Sequence, residues 1–141
     1  MALTHLLDTS VLTRLRHAPV RDVVEPLAGA GRAARAGISD LEIGFSARNA
    51  PEWDQLNSAL SAFALIETTA RHIHRARAVQ RLLASTSQRG RKIPDLLVAA
   101  AAEDAGLTVL HYDTDFDIIA AVTGQPSEWV APPGSMDKPM D

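Results

Sequence analysis

The stretch Leu107-Thr108-Val109-Leu110-His111-Tyr112-Asp113-Thr114-Asp115-Phe116-Asp117 decides the fold. Its first six residues are β-branched or apolar and read as a strand that ends at Asp113. Just upstream, Pro94 opens an apolar helix over residues 95–105, closed by Gly106. Just downstream, residues 116–122 read as a short helix stopped by Gly124. The same alternation holds further out. Residues 2–7 form a first strand ending at Asp8, and Thr9 and Ser10 open a short helix to about residue 16. A helix over residues 20–28 stops near Gly29 and Gly31, and residues 33–38 read as a second strand. Ser39-x-x-Glu42 has capping-box spacing ahead of Ile43 and Phe45. Pro51 begins a helix to residue 62, and residues 64–67 form a weak third strand. Residues 69–85 form a long helix with Ile73, Ala76, Val79, Leu82 and Leu83 on one face. Residues 129–131 read as a last edge strand. Strands separated by helices predict an α/β fold: a parallel sheet, helices on both faces, right-handed crossovers.

Composition sets the frame. At 141 residues the chain makes one domain, expected over residues 1–131, with a loose Pro- and Gly-rich tail over 132–141. It is 46% hydrophobic and 22% charged, enough for a sizeable core. With no Cys, a disulfide scaffold, a thiolate zinc site and a cysteine nucleophile are excluded, and a reducing cytoplasm is the expected setting. No apolar run reaches the roughly 18 residues of a membrane span. The N-terminus lacks a basic flank and carries Asp8, so no signal peptide is expected.

The net charge is −3, which argues against a generic polyanion binder. Yet Arg71, Arg75, Arg77, Arg81, Arg89, Arg91 and Lys92 make up half of the 14 Lys and Arg, in a stretch without Asp or Glu. Such a segregated stretch suits a phosphate backbone. It equally suits a solvated helix face.

In an open parallel sheet, ligands bind at the carboxyl ends of the strands. Asp8 ends the first strand, Glu42 lies in the first turn after the second, and Asp113 and Asp115 follow the fourth. Asp95 opens the helix before the fourth strand, which runs antiparallel to the sheet and so starts on the same edge. Each acid taken singly has an ordinary role as a cap, a capping-box partner or a turn residue. Gathered together, they cannot all stay ionised without a cation. An oxygen-only set, with no His pair nearby, favours Mg²⁺ or Mn²⁺ over zinc. A carboxylate-held Mg²⁺ suits phosphoryl chemistry, and with a basic stretch it points to a metal-dependent nuclease.

Four motifs in order carry a resemblance: Asp8-Thr9-Ser10 after a strand, Ser39-Asp40-Leu41-Glu42-Ile43, Ile93-Pro94-Asp95 before an Ala-rich helix, and His111 to Asp117. Together they resemble a PIN domain and, more narrowly, the VapC toxins of bacterial toxin–antitoxin pairs. The resemblance covers residues 3–131. It implies a three-layer α/β/α sandwich with a central parallel sheet. It implies an endoribonuclease using Mg²⁺, with Mn²⁺ as substitute, that cleaves single-stranded loops of tRNA or ribosomal RNA to 5′-phosphate and 3′-hydroxyl ends. It also implies a VapB-type antitoxin and a homodimer. By resemblance, Asp8 and Asp95 match the two principal metal ligands, Glu42 the third acid, which binds metal or positions the water, Asp113 the fourth and Asp115 a further one. Thr9 matches a hydroxyl that steadies the first Asp. Asp117 falls outside the set. Arg71, Arg75, Arg81 and Arg91 are the expected RNA contacts.

Other readings fit less well. A receiver domain needs a Lys after its last strand, and Lys92 and Lys138 are not so placed. A haloacid-dehalogenase-like phosphatase needs Asp-x-Asp where this chain has Asp8-Thr9-Ser10. A catalytically silent PIN fold acting as a binding module is the rival from a different class. His72 and His74 do not share a helix face. His5 and His111 fall in strands, and Ser10 has no His partner for nucleophilic catalysis.

Overall fold

The computed structural model describes residues 2–88 and 91–137. Arg89, in the basic stretch, and residues 138–141, in the expected tail, lie outside the described residues. The described chain forms β1 (His5–Leu7), α1 (Thr9–Leu12), α2 (Ala18–Gly29), β2 (Ala33–Ala36), α3 (Gly37–Gly44), α4 (Ala50–Leu60), β3 (Ala64–Ile66), α5 (Ala70–Ser85), α6 (Ile93–Ala105), β4 (Thr108–His111), α7 (Asp115–Thr123) and β5 (Ser127–Trp129).

The five strands pair in parallel in the order β3-β2-β1-β4-β5, so this is the expected α/β architecture. β1 is central: Leu6 pairs with Ala34 on one side and Val109 on the other. Successive side chains along a strand face opposite sides. Leu6 therefore enters a core with Val79, Leu83, Val98 and Phe116 of α5, α6 and α7. Leu7 enters a second core with Val11, Val20, Val24 and Leu60 of α1, α2 and α4. Ala99, Ala100, Ala101 and Ala102 are all buried, and their small side chains bring α6 close to the sheet.

Several boundaries differ from the sequence reading. β2 stops at Ala36, not residue 38, because α3 already starts at Gly37, with Ala36 as an N-cap that makes no side-chain cap bond. Ser39-x-x-Glu42 is therefore not a capping box. The first helix closes at Leu12, and β5 runs Ser127–Trp129, earlier than expected, since its register with β4 pairs Val109 with Ser127. After residue 131 the chain still makes contacts. The Tyr112 hydroxyl donates to Asp137 Oδ1 at 2.8 Å and accepts from Met136 N at 2.8 Å, and Met136 packs on the second core. Among the described residues, no helix is long and apolar enough to cross a membrane.

Candidate metal centre

β1 and β4 are adjacent and parallel, so Asp8 and Asp113 leave the sheet on one edge. Asp8 extends the ladder, its N–H donating to Leu110 O at 2.9 Å, and then caps α1. Its Oδ2 accepts from Ser10 N at 3.0 Å and from Ser10 Oγ at 2.6 Å. Ser10 Oγ in turn accepts from Tyr112 N at 2.9 Å, which ties the ends of the two strands together. Asp8 Oδ1 is buried and has no partner. Pro94 in the first turn of α6 fixes its start on this edge, and Asp95 follows it. Asp95 is buried too, and its Oδ2 makes no hydrogen bond.

The turn after β4 supplies two more carboxylates. Asp113 Oδ1 accepts from Asp115 N at 2.9 Å, an Asx turn that points both side chains back at α6. Asp95, Asp113 and Asp115 each offer an oxygen within 4.8 Å of the others'. Asp113 Oδ2 accepts from Lys92 Nζ at 2.6 Å and Asp115 Oδ1 from Arg91 Nη1 at 2.8 Å.

The electrostatics follow from this placement. Burial pushes the Asp8 carboxyl above its ordinary value; the Ser10 hydrogen bonds oppose the rise and the Glu42 charge adds to it. Burial first, then the Asp8 charge and a hydrogen bond with Asp115, raise Asp95 to about 8. Burial also acts to raise Asp113, but the hydrogen bond from Lys92 helps hold it below its ordinary value. The rim therefore has a strained half, Asp8 and Asp95, and a neutralised half, Asp113 and Asp115.

Glu42 reaches the same edge from α3. The Thr9 hydroxyl donates to Glu42 Oε1 at 2.7 Å and sits 2.8 Å from Ser39 Oγ. Ser39 is fully buried, Thr9 half-buried and Glu42 exposed, so this hydroxyl pair positions an acid that faces solvent.

Two buried carboxylate oxygens without partners, beside two further carboxylates, match what a divalent cation requires and what a neutral pocket avoids. All donors are hard oxygens, which suit Mg²⁺ or Mn²⁺. Asp95, Asp113 and Asp115 are the residues whose oxygens converge and would hold such an ion, and Asp8, whose charge acts on Asp95, lies outside that converging set.

The arginines divide. Arg71 pairs with Asp104 at 3.0 Å and Arg75 with Glu103 at 2.7 Å, at the end of α6 opposite Asp95. Arg91 joins the rim through Asp115. Arg77, Arg81 and Arg91 line a groove of about 620 Å³ that also touches Leu96, the neighbour of Asp95. Asp117 accepts from Trp129 Nε1 at 3.1 Å, outside the acid cluster. The sequence reading missed Ser10, Ser39 and Lys92. Ser10 bonds Asp8 two residues away and Tyr112 across the fold, and the capping-box spacing of Ser39 pointed to Glu42 rather than to its partner Thr9. Lys92 reads in the sequence as part of a basic run and as a poor match to a receiver-domain lysine, not as a partner of the acids. His111 is fully buried between Phe116 and Trp129, and its Nδ1 accepts from Asp113 N at 3.2 Å.

The PIN domain pattern matches residues 5–122. The chain is 65% identical over 137 residues to Ribonuclease VapC51 of Mycobacterium tuberculosis (strain ATCC 25618 / H37Rv), covering 97% of this chain and 100% of that one. It is 42% identical to Ribonuclease VapC21 of the same organism (strain CDC 1551 / Oshkosh) over 137 residues, covering 96% and 99%. Among solved structures, VapBC2 from Rickettsia felis bound to a promoter DNA fragment aligns with a TM-score of 0.73 at 18% identity, covering 92% of this chain and 98% of that one. FitAcB from Neisseria gonorrhoeae aligns with a TM-score of 0.68 at 20% identity, covering 88% and 96%. At these identities the structural likenesses speak to the fold.

Proposed function

The chain belongs to the PIN-domain family, among the VapC ribonucleases, and from that premise we propose that it is the endoribonuclease toxin of a VapBC-type pair. It requires Mg²⁺, with Mn²⁺ able to substitute, and cleaves single-stranded loops of structured RNA, tRNA or ribosomal RNA, in the cytoplasm. The observation that carries this is the pair of orphaned, buried oxygens, Asp8 Oδ1 and Asp95 Oδ2, on one edge of the sheet.

Asp8 and Asp95 are the principal holders of the ion, with Asp113 and Asp115 completing the set. A divalent ion there supplies positive charge to the phosphodiester oxygens and makes a water easier to deprotonate. Glu42, exposed and held by Thr9, would orient such a water and accept its proton. One of its carboxylate oxygens is anchored by the Thr9 hydroxyl. The groove lined by Arg77, Arg81 and Arg91 holds backbone phosphates on the flank of the scissile bond.

Leu41, on α3 beside Glu42, is 71% exposed, and Phe45, the C-cap of α3, is 91% exposed. A VapB-type antitoxin that covers these two side chains also covers Glu42, which couples partner binding to inhibition. VapBC complexes among the structural neighbours support such a partner. The protein acts as a homodimer in this reading.

The test is cleavage of total RNA with mapping of 5′ ends, with Mg²⁺ or with EDTA. Wild-type protein should cut at discrete loops only with the metal, and Asp8→Ala and Asp95→Ala should not cut. Equal cutting in EDTA refutes the metal role. A Mn²⁺-independent melting temperature together with tight RNA binding and no cleavage indicates a silent binding module instead.

A further inference from the structure

Lys92 is the N-cap residue of α6, yet its side chain makes no cap bond. Its ammonium instead crosses to the turn after β4, 2.6 Å from Asp113 Oδ2 and 3.8 Å from Asp95 Oδ2. The stem is 63% exposed. An ordinary surface ion pair has one partner and little consequence. This ammonium stands among several carboxylates, one of which has an orphaned oxygen. Among the described residues, five acids on this edge face two cations, Arg91 and Lys92. Of these two, Arg91 pairs with Asp115, while Lys92 contacts the oxygens of Asp113 and Asp95 at the centre of the cluster.

Resting on the reading that this edge takes a divalent ion, we propose that Lys92 is a built-in competitor for it: a counter-ion that sits on Asp113 and Asp95 without metal and must leave both when the ion enters. A single positive charge and a doubly charged ion cannot share Asp113 Oδ2 and Asp95 Oδ2 without repulsion. The chain thus weakens its own metal affinity and gains tolerance of the metal-free state. Lys92 is a positioning residue in this scheme. It acts through the metal-holding carboxylates.

The test is Mn²⁺ affinity of the full chain by calorimetry, without RNA, for wild type, Lys92→Gln and Lys92→Arg. Lys92→Gln should bind about tenfold more tightly, because the entering ion no longer has to break the Lys92 contacts with the two carboxylates. Lys92→Arg, which keeps the charge, should stay within roughly twofold of wild type. Removing the ammonium also favours a proton on Asp95, but a doubly charged ion gains about twice as much as a proton, so the sign stands. In parallel, the ¹⁵N signal of the Lys92 ammonium, sharp in the metal-free chain because the group is held, should broaden or shift on Mg²⁺ addition. Equal or weaker Mn²⁺ binding by Lys92→Gln, with wild type binding normally, overturns this proposal and leaves the metal site standing. Absence of Mn²⁺ binding by wild type overturns both.

Discussion

Two charged clusters lie at opposite ends of α6, and they are built from the same residue types. At the C-terminal end, Arg71 and His72 meet Asp104 at 3.0 Å and 3.1 Å, and Arg75 grips Glu103 through two nitrogens at 2.7 Å and 3.2 Å. Both acids there have a cationic or imidazole partner. At the N-terminal end, Asp8 and Asp95 are buried with an orphaned oxygen each, and the cations present reach mainly Asp113 and Asp115. Density of charge is therefore no guide to where chemistry happens. Unsatisfied charge is the guide, because a buried anion without a partner costs several kcal/mol and persists only where something else compensates it.

The largest expected effect separates the two ends most sharply. Asp8→Ala or Asp95→Ala should lower RNA cleavage by about a thousandfold, the loss of several kcal/mol of transition-state stabilisation. Glu103→Ala should leave cleavage within about twofold of wild type, measured in the same assay. Comparable losses at both ends would erase the distinction.

Next comes the support of the strained half. Ser10→Ala removes the hydroxyl donor to Asp8 Oδ2 and the acceptor of Tyr112 N. A destabilisation of about 1–3 kcal/mol is expected by denaturant titration, with Mn²⁺ affinity reduced by about tenfold. Unchanged Mn²⁺ affinity would remove Ser10 from the positioning role.

Titration gives a third comparison. Asp95 sits at about 8, above its ordinary value, so its protonated form is the one folding favours. Stability from that group is complete at acid pH and is lost as pH rises towards and through about 8. In EDTA the melting temperature should fall between pH 5 and pH 9, and Asp95→Asn should flatten that fall and melt a few degrees higher at pH 8. Asp104→Asn should do neither. Saturating Mn²⁺ should reverse the wild-type trend, because the ion displaces the proton.

The smallest effects concern the arginines. Arg81→Glu should weaken RNA binding and reduce the salt slope by about 1. Arg75→Glu should barely alter RNA binding and cost no more than about 1 kcal/mol of stability, as for a partly exposed ion pair. The reverse order would move the RNA path to the other end of α6.

Much of this was legible in the sequence. The strand–Asp steps at Leu7-Asp8 and Tyr112-Asp113, and Pro94-Asp95 at a helix start, place acids on one edge by topology alone. What local pattern could not show was pairing across the fold. Ser39-x-x-Glu42 matched a capping box, but the buried Ser39 hydroxyl and the Glu42 carboxylate both turn to Thr9, some thirty residues earlier. The run from Arg71 to Lys92 looked like one basic surface. A sixteen-residue helix, α5, spreads it from one end of α6 to the other, where different acids take up different members. His72 looked idle, and it is a cap: its Nδ1 accepts from Thr69 N while its Nε2 meets Asp104.

The most direct test is an anomalous-scattering map from crystals of the protein soaked in Mn²⁺. A single strong peak is expected on the sheet edge, about 2.0–2.3 Å from oxygens of both Asp8 and Asp95, with Lys92 withdrawn from Asp113. A map with no peak there, or with Mn²⁺ bound only at Glu103 and Asp104, would contradict it.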